Sequence, residues 1–290
     1  MNDIVFRSGE AAHRVEEQYR QVLDRWPVQK SELRIPTRRG ETFVVACGPE
    51  NAPPLVLLHG SQANSAAWMP DVRLWSSKYR VFAIDMIGEP GLSARVRPDL
   101  AGEAHALWLD DVFEGLGIKT AGIVGTSLGG WLALDYASRR PAAVRALALF
   151  CPAGIGRQKN FLFKAAPLLL LGSWGKHRFR EMIFGSKPSE TPEEMRPMAD
   201  LMEEIGRVVR PRVVKIPQLT DDELRKLEMP ILVILGGRDA LLDSRETRDR
   251  LSKAAPHAEV CFLEHGYHYL PNQSKRVMEF LKRSIPTVGA

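Results

Sequence analysis

The residues Gly125-Thr126-Ser127-Leu128-Gly129-Gly130 follow a short apolar run and open a helix-like segment. A G-x-S-x-G sequence between a strand and a helix is the pattern of a nucleophile elbow. The chain must turn sharply there with Ser127 at the apex. Side chains at 125 and 129 would collide with neighbouring backbone, so both are glycine. The Ser127 hydroxyl then stands at the positive end of a helix. A serine hydroxyl is a poor nucleophile unaided and needs a base that titrates near neutrality, which means histidine. Seven are available, at 13, 59, 105, 177, 257, 265 and 268. Chains with this elbow run in the order Ser, acid, His, so the base is expected late. His265 and His268 both follow the last apolar run, and His268, in the loop leading to the final helix, is preferred. His257 precedes that run, at the wrong end of the strand.

The base must be held in one tautomer by a carboxylate. Asp239 lies just past the apolar run 231–235, in Gly236-Gly237-Arg238-Asp239. The rival Asp243 suits the cap of a helix starting near Ser244. The other position for an acid, after 144–150, reads Cys151-Pro152-Ala153 and holds no carboxylate. Negative charge on a substrate oxygen needs preorganised donors. The Leu128 amide is one candidate. The other comes from His59-Gly60-Ser61-Gln62, with the Ser61 amide first and Gln62 second. His59 is read as a structural loop histidine.

The elements that must position these groups alternate along the chain. An amphipathic helix over 10–26 is followed by strands over 32–36 and 42–46 around an Arg39-Gly40 turn. Strands are then expected at 55–58, 81–84, 121–124, 144–150, 231–235 and 259–263. Helices are expected at 65–78, 99–116, 127–140, 221–227, 244–254 and 272–283. Short apolar strands divided by helices signal a parallel sheet covered on both faces. The rhythm breaks over 153–217, which shows only helical pieces, such as 161–171 and 192–209. The expected division is an N-terminal helix over 1–30, a core over 31–152 and 218–290, and a helical cap over 153–217.

The stretches LVLLHGS, YRVFAIDMIG, VGTSLGG, ILVILGGRD and HGYHYL, in that order, resemble the α/β-hydrolase superfamily in its capped, esterase-like branch. The resemblance implies an eight-stranded, mostly parallel sheet with helices on both faces and a helical cap insertion. It also implies a triad of Ser127, Asp239 and His268 with oxyanion donors at Ser61 and Leu128. One departure is visible: the turn Asp85-Met-Ile-Gly88-Glu-Pro-Gly91-Leu-Ser93 is one residue longer than the family's pattern. The chemistry implied is transfer of an acyl group from a carboxylic ester to Ser127 and then to water, with no metal or cofactor. Gln62, Phe161, Phe163 and Trp174 are the candidate pocket residues for a small, apolar ester. The same triad serves C–C hydrolases, lactonases and thioesterases, and a hydrolase-like small-molecule receptor is the reading from another class.

Composition sets the outer bounds. The 290 residues carry a net charge of +5 and 44% hydrophobic residues, which excludes a disordered chain. The basic stretches 7–39 and 207–215 are read as solvated faces, so no nucleic-acid partner is expected. Cys47, Cys151 and Cys261 form no CxxC and are read as buried free thiols of a reducing compartment. The N-terminus lacks the apolar core of a signal peptide, and no stretch reaches the roughly 20 apolar residues of a spanning helix. A cytoplasmic protein without stable membrane insertion is expected.

Overall fold

The apolar runs become strands buried on both faces, because a run without polar alternation has no side to offer water. A computed structural model describes residues 4–159, 171–185, 193, 196–212 and 214–286. The strands are β1 (Lys30–Thr37), β2 (Gly40–Cys47), β3 (Pro54–Leu58), β4 (Arg80–Ile84), β5 (Ala121–Thr126), β6 (Val144–Phe150), β7 (Ile231–Gly236) and β8 (Glu259–Leu263). They form one sheet in the order β1-β2-β4-β3-β5-β6-β7-β8. β1 and β2 make an antiparallel hairpin, β2 is antiparallel to β4, and every pair from β4 to β8 is parallel. From β3 the chain steps one way to β4 and the other way to β5. The order therefore reverses between β3 and β5, where open α/β sheets leave a crevice at their carboxyl edge.

The helices are α1 (Gly9–Leu23), α2 (Met69–Trp75), α3 (Ala104–Gly115), α4 (Leu128–Arg139), α5 (Gly172–Phe184), α6 (Arg196–Val208), α7 (Asp221–Arg225), α8 (Ser244–Ala254) and α9 (Ser274–Ser284). Trp108, Leu132 and Leu251 of α3, α4 and α8 bury one face of the sheet. Val15, Val72 and Phe280 of α1, α2 and α9 bury the other. Two expected helices begin at least four residues later than their patterns. The 65–78 segment opens as a 3-10 turn over Ser65–Trp68, and Pro70 then starts α2. The 99–116 helix begins only at Ala104, because Gly102 takes a φ of +97° that no α-helix tolerates.

Between β6 and β7 the described residues add no strand to the sheet; they form α5, α6 and α7. The N-terminal segment clasps α6. Arg7 N donates to Val208 O at 3.0 Å, Arg210 N to Val5 O at 2.7 Å, and Arg14 pairs with Glu204. The reading of 207–215 as a solvated face fails at Arg212. It is half-buried and donates to Pro98 O at 2.6 Å, and burial lowers its pKa. Cys47 and Cys151 are buried, but Cys261 is only half-buried, because β8 is an edge strand. No described helix is long and apolar enough to cross a membrane.

Candidate active site

Ser127 sits between β5 and α4 with φ +52° and ψ −111°, outside the basins an L-residue favours. The surroundings over-determine this conformation. Ser127 N donates to Phe150 O at 2.9 Å, and its carbonyl accepts from Trp131 N and Ala153 N at 3.0 and 3.1 Å. A Cβ on Gly129 would overlap the carbonyl oxygens of Leu58 and His59, and one on Gly125 would lie 2.6 Å from Gly129 O. The two glycines let α4 start directly against the end of β3. Leu128 is the first residue of α4, so its amide has no partner within the helix and points out of the N-terminus.

The loop after β3 passes against the serine, with a Cβ built on Gly60 only 3.6 Å from Ser127 Cβ. His59 is buried and fixes this loop. Its Nε2 accepts from Met86 N at 3.0 Å, so the proton is on Nδ1, which donates to Gly60 O at 2.8 Å. Burial lowers the His59 pKa and keeps the ring neutral, against an opposing pull from Asp85. Holding the Gly60 carbonyl orients the other end of that peptide, the Ser61 amide. The Gln62 amide is committed elsewhere, donating to Glu89 Oε2 at 2.8 Å. Of the two candidates in this loop, only Ser61 keeps its amide clear of Glu89.

His268 Nδ1 and Asp239 Oδ2 are 2.7 Å apart, both residues buried. The other Asp239 oxygen accepts from Leu241 N at 2.8 Å and Leu242 N at 3.1 Å. Burial pushes the Asp239 pKa up, but the hydrogen bonds from His268 and the two amides outweigh it, and the net shift is down. Asp239 is thus an ionised acceptor that leaves Nε2 of His268 free of the proton on Nδ1. The loop histidine is tied to α5, because His268 N donates to Ile183 O at 3.1 Å. His265 faces Arg238 instead, at 3.2 Å, and Asp243 caps α8 by accepting from Glu246 N at 3.1 Å. Ser127, Asp239 and His268 each follow a parallel strand, β5, β7 and β8, at one edge of the sheet.

Two residues at this edge were not singled out from sequence. Cys151 follows β6, where its position past a strand end is the available signal. Its sulfur, a carboxylate oxygen of Asp239 and a ring nitrogen of His268 lie within 4.8 Å of one another. These atoms are of metal-ligating type, yet the acid and base are already spent on each other. Burial, and then the Asp239 charge, push the thiol well up, so Cys151 stays a protonated neighbour and no nucleophile. Glu89 comes from the turn after β4, and its buried carboxyl meets the Ser61–Gln62 loop. Of the expected pocket residues, Gln62 is half-buried with φ +57° and Trp174 is 59% exposed on α5. Phe161 and Phe163 lie outside the described residues.

Residues 55–281 match the model of the alpha/beta hydrolase family. The chain is 34% identical to an uncharacterized carboxylesterase, nap, of Bacillus subtilis over 90% of both chains. It is 30% identical to the carboxylesterase YbfK of the same organism over 95% of this chain and 96% of that one. The crystal structure of naproxen esterase from B. subtilis superposes with a TM-score of 0.80 at 32% identity, covering 95% of this chain and 99% of the other.

Proposed function

The chain belongs to the alpha/beta hydrolase family and is an ester-cleaving enzyme of carboxylesterase type, and we propose that Ser127, His268 and Asp239 are its catalytic triad. His268 Nε2 takes the Ser127 proton as Oγ attacks the ester carbonyl. The oxyanion is received by the Ser61 and Leu128 amides. Collapse breaks the C–O bond, and His268 protonates the departing alcohol. Water then attacks the acyl-enzyme with His268 again as base, and the carboxylic acid leaves. Asp239 stays ionised throughout and holds the ring. The observation that carries this reading is the 2.7 Å pair of His268 and Asp239 at the sheet edge that also bears the strained Ser127.

Residues 153–217 act in this reading as a cap over that edge, with Gln62, Phe161, Phe163 and Trp174 lining a pocket for small apolar acyl groups. The exposed Leu171 and Trp174 on and beside α5, whose last turn holds the His268 loop, support it. The three free thiols fit work in the cytoplasm. The test is hydrolysis of p-nitrophenyl esters from short to long acyl chains. Ser127→Ala should lose at least about 1,000-fold in turnover while melting as the parent does. Undiminished turnover in the folded variant removes the assignment.

A further inference from the structure

We propose that Glu89 is a positioning residue for ester cleavage: it locks the peptide after Ser61 and so aims the Ser61 amide at the substrate's carbonyl oxygen. The inference rests on the reading that Ser61 and Leu128 supply the oxyanion donors.

Ser61 lies between two peptide planes, and each is gripped by a buried side chain. On one side His59 Nδ1 holds the Gly60 carbonyl at 2.8 Å. On the other, Glu89 Oε2 accepts from Gln62 N at 2.8 Å and from the Ser61 hydroxyl at 3.4 Å. The second grip is needed because Ser61 itself is exposed and Gln62 sits at φ +57°, in the left-handed region. A non-glycine residue there is strained and persists only where its surroundings insist on it.

Glu89 is poorly explained as a contribution to stability. Its carboxyl is 1% exposed, and among the described residues Oε1 has no hydrogen-bond partner. A buried carboxyl with an unsatisfied oxygen is costly. Burial pushes its pKa up, and the Gln62 amide and the charges of Arg97 and Arg212 pull the other way. Those two side chains are themselves held in place: Arg97 donates to Gly88 O at 2.8 Å, and Arg212 to Pro98 O at 2.6 Å. The turn Gly88-Glu89-Pro90-Gly91 brings this carboxyl beneath the loop, and Gly91 N closes the turn on Glu89 O at 2.8 Å. The turn after β4 thereby carries an acceptor to the Ser61–Gln62 peptide.

The test compares Glu89→Ala and Glu89→Gln with the parent enzyme. Hydrolysis of p-nitrophenyl butyrate gives kcat and KM. Inhibition by an alkyl trifluoromethyl ketone reports the oxyanion site directly, because it forms a tetrahedral adduct on Ser127. For Glu89→Ala we expect kcat to fall about 100-fold, the scale of losing one oxyanion donor. KM should stay within threefold and the ketone's Ki should rise by a similar factor. Glu89→Gln, whose carbonyl still accepts from Gln62 N, should recover kcat to within about fivefold of the parent. If Glu89→Ala does not fold, Glu89→Asp takes its place. That carboxyl stops one methylene short of Gln62, and we expect about a tenfold loss in both kcat and ketone affinity. The proposal is overturned by a folded Glu89→Ala or Glu89→Asp with parental kcat, by a loss confined to KM, or by a fall in kcat with unchanged ketone Ki. A parent enzyme that neither hydrolyses the ester nor binds the ketone would overturn the esterase reading itself. A parent active on both, with Glu89 variants unaffected, removes only the role of Glu89.

Discussion

Replacing Asp239 by Asn changes one atom of the acid and leaves its volume in place. The carboxylate makes three contacts: His268 Nδ1 at 2.7 Å, Leu241 N at 2.8 Å and Leu242 N at 3.1 Å. An asparagine keeps its carbonyl oxygen on the two amides, which fixes its NH2 against His268 Nδ1. Two donors cannot face each other, so the ring moves its proton to Nε2 and can no longer accept one from Ser127. The second loss is electrostatic. At the observed 2.7 Å and an effective dielectric of about 20, imidazolium and carboxylate attract by about 6 kcal/mol. At about 1.4 kcal/mol per decade, that sets a ceiling of roughly 10,000-fold on the fall in kcat. We expect a loss between about 1,000-fold and that ceiling, read as steady-state hydrolysis of a p-nitrophenyl ester. Asp243→Ala is the control. Asp243 caps α8 through Glu246 N at 3.1 Å, so its loss should lower stability by about 1 kcal/mol and leave kcat alone. A folded Asp239→Asn that keeps a tenth of parental kcat refutes the argument, as does an Asp243→Ala that loses as much activity as Asp239→Asn.

Further outcomes follow from the elbow and from a buried histidine. Gly129→Ala should destroy activity or prevent folding, because its Cβ would overlap the carbonyls of Leu58 and His59. Gly206→Ala, in α6 with nothing within 4 Å of the new Cβ, should raise the melting temperature by the equivalent of about 0.5–1 kcal/mol. Equal effects from the two substitutions would show that close approach is not what selects glycine at the elbow. His105 is 2% exposed, and burial, followed by Arg212 and Arg39, pushes its pKa down to about 4. Its folded pKa lies below its unfolded value near 6.5, so the unfolded chain binds the extra proton between the two. Stability should therefore fall as pH drops from about 6.5 toward about 4, by about 3 kcal/mol from this group. Thermal melts across that range should flatten in His105→Gln, and an identical pH slope in the two proteins would count against the assignment.

What was legible in the sequence is what depends on chain order and on close approach. Ser127, Asp239 and His268 each follow an apolar run, and parallel strands bring the ends of such runs to one edge without further information. Gly125 and Gly129 were legible because no other residue fits so near another backbone. Glu89 was hidden, because its partners on the Ser61–Gln62 loop stand 27 and 28 residues away and no periodicity links them. Cys151 was read as a buried free thiol. β8 returns His268 to the end of β6 beside it, but burial, and then the Asp239 charge, hold the thiol protonated. Arg212 was counted with a solvated run, yet a single residue in such a run can turn inward when a buried carboxyl awaits it. The early start assigned to α3 failed for a local reason, the left-handed Gly102, which hydrophobic spacing does not register.

Among the described residues, four non-glycines have positive φ, and three of them, Gln62, Ser127 and Cys151, lie just past the ends of β3, β5 and β6. Strain gathered at one sheet edge must be opposed by something rigid nearby. Asp85 supplies part of that rigidity from the end of β4. Its Oδ1 accepts from Ser65 N, Ser65 Oγ and Tyr19 Oη at 2.8, 2.7 and 2.9 Å, and its Oδ2 from Leu92 N at 2.8 Å. One buried carboxylate therefore joins α1, the far end of the loop after β3 and the turn that carries Glu89. Each of these donors is satisfied away from water, where breaking any one would strand a buried polar group at about 1–3 kcal/mol. The N-terminal helix is thus part of the frame that keeps the loop over Ser127 in its left-handed conformation. Its Tyr19 reaches the same carboxylate that fixes Ser65, four residues beyond the Ser61 amide.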